Sequence, residues 1–182
     1  MNRVCVYCGS RFGKHDAYKV AAQKMGELIA TSGVTLVYGG ASRGLMGELA
    51  SSAMKHGGKV IGVIPEALVE KEIAHEALSE LQVVPDMHVR KATMSTLADA
   101  FIALPGGAGT LEEFFEMFTW WQVGFHKKPI AVANIEGFYD PLISLFEKAV
   151  SEGFVEQQWV DRLLIESDLE RLWAKLLANF AP

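Results

Sequence analysis

The sequence predicts an α/β fold with three layers and a doubly wound parallel sheet, on the basis of three observations. Short apolar runs alternate with longer segments of helical periodicity along the chain. The runs are continuous rather than alternating, which is typical of strands buried on both faces of a parallel sheet. Two glycine-rich segments directly follow such runs, where parallel sheets bind ligands. A length of 182 residues predicts a single domain over residues 1–182.

Each element is predicted from its apolar pattern and from the residues that end it. Strands are expected at residues 3–8, 34–38, 59–64, 81–84, 100–104, 129–134 and 163–165. Helices are expected at residues 16–31, 45–56, 86–99, 110–125, 141–151 and 168–180. Gly33 and the Gly57-Gly58 pair end the first two helices, and Ser167 is predicted to cap the last one. Residues 65–79 are less regular, with a short helix and a loop expected there.

Composition and charge exclude several classes of protein. Half of the residues are apolar and 21% are charged, so disorder is not expected. No apolar run approaches the roughly 18 residues that span a bilayer, and nothing near Arg3 resembles a secretory signal. The formal net charge of −5 gives no support for nucleic-acid or membrane-surface binding.

The two cysteines predict a reducing environment. Cys5 and Cys8 lie within a strand pattern, where residues three apart point to opposite faces of the sheet. We therefore expect buried structural thiols and not a redox pair. Without a disulfide framework, the cytoplasm is the expected location.

Residues 105–113 read Pro-Gly-Gly-Ala-Gly-Thr-Leu-Glu-Glu and join an apolar run to a helical pattern. Glycines at a helix N-terminus let the backbone approach an anion closely, and the free N–H groups there attract it. Glu113 has two interpretations. It can complete a capping box with Thr110, or it can act chemically on a bond near the glycines. Three glycines exceed what a simple cap needs, which favours the second interpretation.

The segment Gly39-Gly40-Ala41-Ser42-Arg43-Gly44 is the second glycine loop. It matches neither the G-x-G-x-x-G nor the Walker fingerprint, so a nicotinamide enzyme is weakly supported and a Walker-type ATPase is unsupported. An anion site, favoured by Arg43, and a simple tight turn both remain open.

A further candidate is the pair Arg90-Lys91, placed near the start of a predicted helix. Cations there oppose the helix dipole, and such local conflicts are expected at functional sites. Two solvated charges are the alternative. The five histidines show no metal-ligand spacing, so no metal site is predicted.

The helix at residues 110–125 is apolar around most of its circumference. Its polar residues Glu112, Glu116 and Thr119 fall within about 60° of one another at 100° per residue. A helix of this kind must be covered on nearly every side, which predicts a homodimer. A single deep core rich in aromatic residues is the alternative.

Taken together, these motifs resemble those of the Lonely Guy (LOG) family, the cytokinin-activating nucleoside 5′-monophosphate phosphoribohydrolases. Bacterial members were often labelled lysine decarboxylases. The resemblance covers nearly the whole chain, through residues 8–10, 37–41, 44–47, 63–65, 87–91, 100–113 and 137–141. An Arg-Lys pair followed at this separation by P-G-G-x-G-T-x-x-E is highly specific. The sequence departs from many members at Ala41, where a third glycine is usual, and we expect less space near the phosphate.

The resemblance implies a Rossmann-like fold, a dimer, and a catalytic pair formed by Arg90 and Glu113. The resemblance and the loop arguments together place the substrate contacts on Ser10, Gly40, Glu72, Lys91, Gly106, Gly107, Ala108, Gly109, Thr110, Leu111, Glu112 and Thr119. No cofactor or metal is expected. The implied partner is a small-molecule nucleoside monophosphate, with no nucleic acid or membrane.

The implied reaction is hydrolysis of the N-glycosidic bond of a purine nucleoside 5′-monophosphate, of adenosine or of cytokinin type, which releases the base and ribose 5-phosphate. Glu113 is expected to stabilise the positive charge on the ribose, hold its hydroxyls or orient the water. Arg90 is expected to position the substrate or stabilise the departing base. Two alternatives are a non-catalytic carrier of a nucleotide or of molybdenum cofactor, and a pyridoxal phosphate decarboxylase that would use Lys91.

Overall fold

One parallel sheet forms the centre of the structure, a computed structural model that describes residues 1–69, 75 and 78–180. Its strands are β1 (Arg3–Tyr7), β2 (Thr35–Tyr38), β3 (Val60–Pro65), β4 (Glu80–Val84), β5 (Ala100–Ala103), β6 (Ile130–Ala133) and β7 (Leu164–Glu166). They lie in the order β4-β3-β2-β1-β5-β6-β7, and each neighbouring pair is parallel. The fold class and the seven predicted strands are confirmed.

Helices cover both faces of this sheet. They are α1 (Asp16–Thr31), α2 (Gly44–Lys55), α3 (Met87–Leu97), α4 (Ala108–Gln122), α5 (Asp140–Ser151), α6 (Gln157–Asp161) and α7 (Leu169–Ala178). Helices α1, α2 and α7 contribute to the apolar core on one face, whereas α3, α4 and α5 contribute to the core on the other. The three-layer, doubly wound arrangement is therefore confirmed, because the continuous apolar strands are buried from both sides.

The strand order reverses between β1 and β5. From β1 the chain builds outward to β4, and it then returns to the other side of β1 to add β5 to β7. The loops after β1 and β5 therefore leave the sheet in opposite directions and open a crevice between them. Ligands of doubly wound sheets bind at such a switch point, outside the carboxyl ends of the strands.

Two predicted helix caps are wrong. Asp168, and not Ser167, caps α7, because its Oδ1 accepts a hydrogen bond from the Arg171 N–H at 2.8 Å. Helix α4 begins at Ala108 rather than at Thr110, with Gly107 as its N-cap. The Leu111 N–H donates to the Gly107 carbonyl oxygen at 3.1 Å, which closes the first helical turn two residues earlier than the sequence predicts.

The cysteines lie as the strand pattern predicts. Cys5 belongs to one apolar core and Cys8 to the core on the opposite face, and both are free and buried. Burial raises the pKa of both thiols, which keeps them protonated and unreactive.

Helix α4 finds most of its cover within this chain. Phe114, Phe118 and Trp121 are buried against the sheet side of the core. Phe146 of α5 packs on the next side, with ring centroids 4.9 Å from Phe118 and 6.0 Å from Phe115. Residues of the same chain therefore cover most of the aromatic side chains of α4, and a second chain is needed less than the sequence suggested. The homodimer stays a prediction.

Candidate functional site

A cavity of about 500 Å³ lies at the switch point of the sheet. Its walls come from the loops after β1, β2 and β5 and from the first two turns of α3 and α4. It contains these predicted site residues: Ser10, Arg90, Gly106, Gly107, Ala108, Gly109, Thr110, Glu112 and Glu113. The tertiary fold thus brings together groups that are up to about one hundred residues apart in the chain.

Backbone hydrogen bonds hold the three loops around the cavity. The Gly9 N–H donates to the Pro105 carbonyl oxygen at 3.1 Å, which joins the β1 loop to the β5 loop. The Gly9 carbonyl oxygen accepts from the Leu45 N–H at 3.0 Å, which joins the β1 loop to the start of α2. Ser10 is therefore held beside the α4 N-terminus, although it is exposed. Gly44 must be a glycine, because its φ is +57° and a Cβ there would lie 2.3 Å from the Ser10 carbonyl carbon.

The N-terminus of α4 offers open backbone to this cavity. Gly107 and Gly109 are exposed, and a Cβ built on either one would meet nothing within 4 Å. Their N–H groups belong to the first turn of a 15-residue helix, where donors lack intrahelical partners and the dipole is positive. An anion fits there without further rearrangement.

Thr110 and Glu113 do not form the capping box that the sequence allows. Thr110 is the third residue of α4 and is buried, packed so closely under Gly106 that a Cβ there would lie 2.1 Å from its Oγ1. No side chain caps this helix. Glu113 consequently lies in the second turn of α4, on the cavity wall.

Arg90 is a buried cation at the cavity wall. Its side chain is only 5% exposed, and its Nη2 donates to the Gly39 carbonyl oxygen at 3.0 Å. Its Nε is buried and finds no hydrogen-bond partner among the residues that the structure describes. Asp86 caps α3 by accepting from the Val89 N–H at 2.8 Å, which offsets the unfavourable placement of Arg90 near the helix start. Arg90 therefore brings a fixed positive charge to the cavity wall.

Glu113 is half-buried and also lines the cavity. Burial is the main cause that raises the pKa of the Cys5 and Cys8 thiols, in and just after β1, and the negative charge of the Glu113 carboxylate contributes to the rise. One buried cation and one carboxylate therefore line the same cavity.

Lys91 does not line the cavity and binds two carboxylates of α4. Its Nζ lies 2.5 Å from Glu112 Oε1 and 3.1 Å from Glu116 Oε1. The hydrogen bond that Lys91 donates to Glu112 is the largest cause that raises the pKa of Lys91. Two of the three polar residues that the sequence places on one face of α4, Glu112 and Glu116, therefore face α3.

Four predicted substrate contacts do not line the cavity: Gly40, Lys91, Leu111 and Thr119. Gly40 has a conformational role, because its φ of +79° favours glycine and a Cβ there would crowd Ile64. Leu111 is half-buried in the apolar core, and Thr119 is exposed further along α4. Glu72 lies outside the described residues. The contacts of these residues with substrate remain predictions.

Two expectations about the second glycine loop also change. Arg43 is exposed at the α2 N-cap and is not on the cavity wall, so it does not support an anion there. Ala41 is fully buried in the core, so its methyl group does not narrow the cavity. Gly39 is the residue of this loop that reaches the cavity.

The sequence reasoning missed most of the apolar wall. This wall is formed by Phe12, Tyr18, Leu45, Met46, Leu68, Met87, Met94 and Phe138, and Arg11 lies at its edge. Phe12 is 48% exposed, and the Lys19 Nζ lies 5.6 Å from its ring centroid. Two features of the sequence could have indicated this wall. Arg11 and Phe12 directly follow Ser10, and Phe138 lies within residues 137–141, which resemble the LOG family.

The described residues contain no cluster of three or more His, Cys, Asp or Glu side chains that could hold a metal ion. In the same part of the chain, no helix is long and apolar enough to cross a membrane.

A ligand cavity at the switch point of a doubly wound sheet, opened by a glycine-rich helix start, defines a Rossmann-like α/β protein. Solved structures share this fold. The molybdenum cofactor binding protein of Rippkaea orientalis aligns with a TM-score of 0.74 over 99% of this chain and 98% of its own, at 21% identity. The Moco carrier protein of Chlamydomonas reinhardtii gives a TM-score of 0.72 over 98% of each chain, at 22% identity.

Sequence relatives are much closer. A family model described as "Possible lysine decarboxylase" matches residues 46–176. The cytokinin riboside 5′-monophosphate phosphoribohydrolase LOG of Oryza sativa subsp. japonica is 48% identical over 99% of this chain and 74% of its own. The enzyme LOG7 of Arabidopsis thaliana is 45% identical over 99% of this chain and 82% of its own. This chain belongs to the LOG family.

Proposed function

We propose that this protein hydrolyses the N-glycosidic bond of purine nucleoside 5′-monophosphates and releases the free base and ribose 5-phosphate. One observation supports this most directly: Arg90, Glu113 and the open N-terminus of α4 share the wall of one cavity. In a nucleotide hydrolase the phosphate needs N–H donors, the ribose needs a carboxylate and the departing base needs a cation. The cavity offers all three groups. The names of the plant relatives describe the same reaction on cytokinin ribotides.

In this proposal the 5′-phosphate binds at the α4 N-terminus. The N–H groups around Gly107 and Gly109 donate to its oxygens, with Ser10 as a further hydroxyl donor from the β1 loop. Thr110 is buried under Gly106 and orders the turn. The phosphate then fixes the ribose above Glu113, one helical turn further along.

Bond cleavage follows from the charge that develops on the sugar. As the C1′–N bond breaks, positive charge builds on the ribose ring, and the Glu113 carboxylate stabilises it or orients the attacking water. The water adds its hydroxyl group to C1′, and the departing base gains a proton at its ring nitrogen. Arg90 donates hydrogen bonds to the substrate or to the base as it leaves. Holding the water and nucleotide together supplies part of the acceleration.

The apolar wall is where the base would bind. Phe12, Tyr18 and Phe138 offer ring surfaces for stacking on a purine. The methionines Met46, Met87 and Met94 offer adaptable surface that accepts an apolar substituent on the purine. Adenine and an N6-prenylated adenine both fit this chemistry.

The older decarboxylase label is disfavoured by the state of Lys91. A Schiff-base lysine must lose its proton and is usually found with a lowered pKa. The pKa of Lys91 is instead raised, mainly by its hydrogen bond with Glu112. The only support for a carrier function is the fold shared with molybdenum cofactor proteins that are 21–22% identical to this chain. A shared fold does not imply a shared function.

The assembly we propose is a homodimer, and the proposed location is the cytoplasm. Exposed apolar residues remain on α3 and at the end of α4, among them Val89, Val123 and Phe125. Thr119 is also exposed, about one helical turn before Val123, so a second copy packed on the end of α4 would cover it. The test is the mass of the protein in solution. We expect twice 19.9 kDa for the wild-type protein and 19.9 kDa for the double variant Val123→Glu/Phe125→Glu. A monomeric wild-type protein would contradict it.

The experiment is a substrate panel with one matched pair of variants. AMP and its N6-prenylated analogue are incubated with the protein, with adenosine as the control without phosphate, and released base and ribose 5-phosphate are quantified. We expect release from the monophosphates alone, reduced about 100-fold or more in Glu113→Gln. Glu147→Gln, exposed on α5, should leave the rate unchanged. Tight AMP binding without base release would show a carrier, and full turnover by Glu113→Gln would remove Glu113 from the mechanism.

A further inference from the structure

Arg11 is an exposed cation at the cavity, on the loop that follows β1. Its side chain makes no ion pair, hydrogen bond or ring contact with the residues that the structure describes. The other arginine on the cavity wall, Arg90, is buried and donates to the Gly39 carbonyl oxygen. Of these two arginines, Arg11 is thus the one that the described residues leave without a contact, and its N–H donors can turn towards a ligand.

Backbone packing fixes the position from which this side chain extends. A Cβ on Gly9 would lie 3.0 Å from the Arg11 carbonyl oxygen and 3.4 Å from the Gly106 Cα, so the Arg11 backbone lies beside the loop that precedes α4. A Cβ on Gly44 would lie 2.4 Å from the Arg11 nitrogen, which shows that the start of α2 packs closely against the same peptide. A long flexible side chain is therefore anchored on a fixed backbone near the N-terminus of α4.

The neighbouring start of α2 is less open to an anion than the start of α4. The Leu45 and Met46 N–H groups donate to the Gly9 carbonyl oxygen at 3.0 and 3.4 Å. At α4, by contrast, Gly107 and Gly109 are exposed, and a Cβ on either would meet nothing within 4 Å. An anion at this end of the sheet therefore binds best at the α4 N-terminus, beside the β1 loop.

A nucleotide brings more negative charge than a helix N-terminus compensates. A helix N-terminus is equivalent to about half a positive charge, whereas a phosphate monoester carries about −1.5 to −2 at pH 7. Two carboxylates, Glu112 and Glu113, line the same cavity, and the nearby cation Lys91 forms an ion pair with Glu112. Binding of a phosphate here is therefore favoured by a further cation, and Arg11 is placed to supply it.

We propose that Arg11 binds the 5′-phosphate of the nucleotide together with the N-terminus of α4, and that it thereby selects phosphorylated substrates over free nucleosides. This inference rests on the proposed function, because it concerns the same cavity. A guanidinium can donate two parallel hydrogen bonds to a phosphate. The bond that breaks is C1′–N, on the far side of the ribose, so Arg11 stabilises the substrate and the transition state equally. Its loss should raise KM and leave kcat nearly unchanged.

The test compares Arg11→Gln with Arg43→Gln. Each change removes one exposed arginine from a loop at the same end of the sheet, and Arg43 does not line the cavity. For Arg11→Gln we expect Kd and KM of AMP to rise about tenfold at nearly constant kcat. Arg43→Gln should bind AMP as the wild-type protein does. Arg11→Lys should recover part of the affinity, because lysine supplies the charge without the paired donors.

Calorimetric binding of AMP does not depend on turnover, so it tests Arg11 even if the wild-type protein releases no base and the proposed function has failed. Added salt should weaken AMP binding more in the wild-type protein than in Arg11→Gln. Adenosine lacks the phosphate, and its affinity should be the same in both proteins. An unchanged Kd of AMP in Arg11→Gln would overturn the proposal. An equal loss of affinity for adenosine, or an equal loss in Arg43→Gln, would also overturn it.

Discussion

The guanidinium of Arg90 donates from Nη2 to the carbonyl oxygen of Gly39 at 3.0 Å, and this bond spans 51 residues of the chain. It anchors α3 to the turn after β2. The bond also fixes the side chain of a residue that lines the cavity. The role proposed for Arg90 requires a cation held in one orientation by groups other than the substrate, and the Gly39 carbonyl provides such a contact.

Gly39→Ala should therefore damage catalysis through Arg90. A Cβ at this position would lie 1.9 Å from Arg90 Nη2 and 2.5 Å from Met46 Cε, so the guanidinium must move. We expect kcat with AMP to fall about 100-fold. The measurement is a double-mutant cycle with Arg90→Lys: because both changes remove the same placement, the double variant should lose little more than either single variant. Fully additive losses would contradict this coupling.

Gly106 and Gly107 are neighbours that should respond differently to alanine. A Cβ on Gly106 would lie 2.1 Å from Thr110 Oγ1, whereas a Cβ on Gly107 would meet nothing within 4 Å. We expect Gly106→Ala to lower Tm by several degrees. Gly107→Ala should keep the wild-type Tm and weaken AMP binding about tenfold, because the added methyl group enters the space proposed for the phosphate. Thermal unfolding and calorimetric titration measure the two effects. Unchanged AMP affinity in Gly107→Ala would argue against a phosphate at that position.

Tyr139→Phe should reduce stability and leave the active site intact. The buried Tyr139 hydroxyl donates to the Leu104 carbonyl oxygen at 2.7 Å, just before the glycine loop. We expect the free energy of unfolding to fall by about 1–2 kcal/mol. Tyr38→Phe is the matched control, because the Tyr38 hydroxyl is buried without a partner among the described residues. Its removal should be neutral or stabilising in denaturant titrations. Equal losses for the two variants would contradict the assignment.

Stability should depend on pH through His126. Its Nε2–H donates to the Met117 carbonyl oxygen at 2.9 Å, and its Nδ1 accepts from the Lys128 N–H at 3.1 Å, so the folded protein favours the neutral ring. Burial is the largest cause that lowers the pKa of His126. The unfolded chain then binds the proton more readily, so the stabilising contribution is complete above about pH 7 and declines as the pH falls through about 6.5 towards the lower pKa of the folded state.

The pH effect is measured as the free energy of unfolding between about pH 5 and 7.5. One group contributes a slope of at most about 1.4 kcal/mol per pH unit, and we expect clearly less because the ring is only half-buried. Burial also lowers the pKa of His75, which adds a slope of the same sign. His126→Gln should flatten the curve. The same slope in that variant would assign the effect to other groups.

The sequence alone determined the architecture and the location of the site. Continuous apolar strands between helical segments required a parallel sheet with two covered faces, and the three-layer fold follows from this burial. The glycine-rich stretch 105–113 marked the ligand end of β5, and the opposed faces of Cys5 and Cys8 followed from strand periodicity. Local signals suffice here because each depends on residues that are close in sequence.

Only the tertiary structure decided how the polar groups of the site are used. Thr110 and Glu113 satisfy the spacing of a capping box, but backbone packing starts α4 at Ala108 and places Glu113 on the cavity wall. Arg90 and Lys91 are adjacent in sequence, but α3 turns one towards the cavity and the other towards Glu112 and Glu116. The partners of these side chains lie 21 to 51 residues away in the chain. Since the energy of a charge depends on its neighbours in space, no local pattern contains that information.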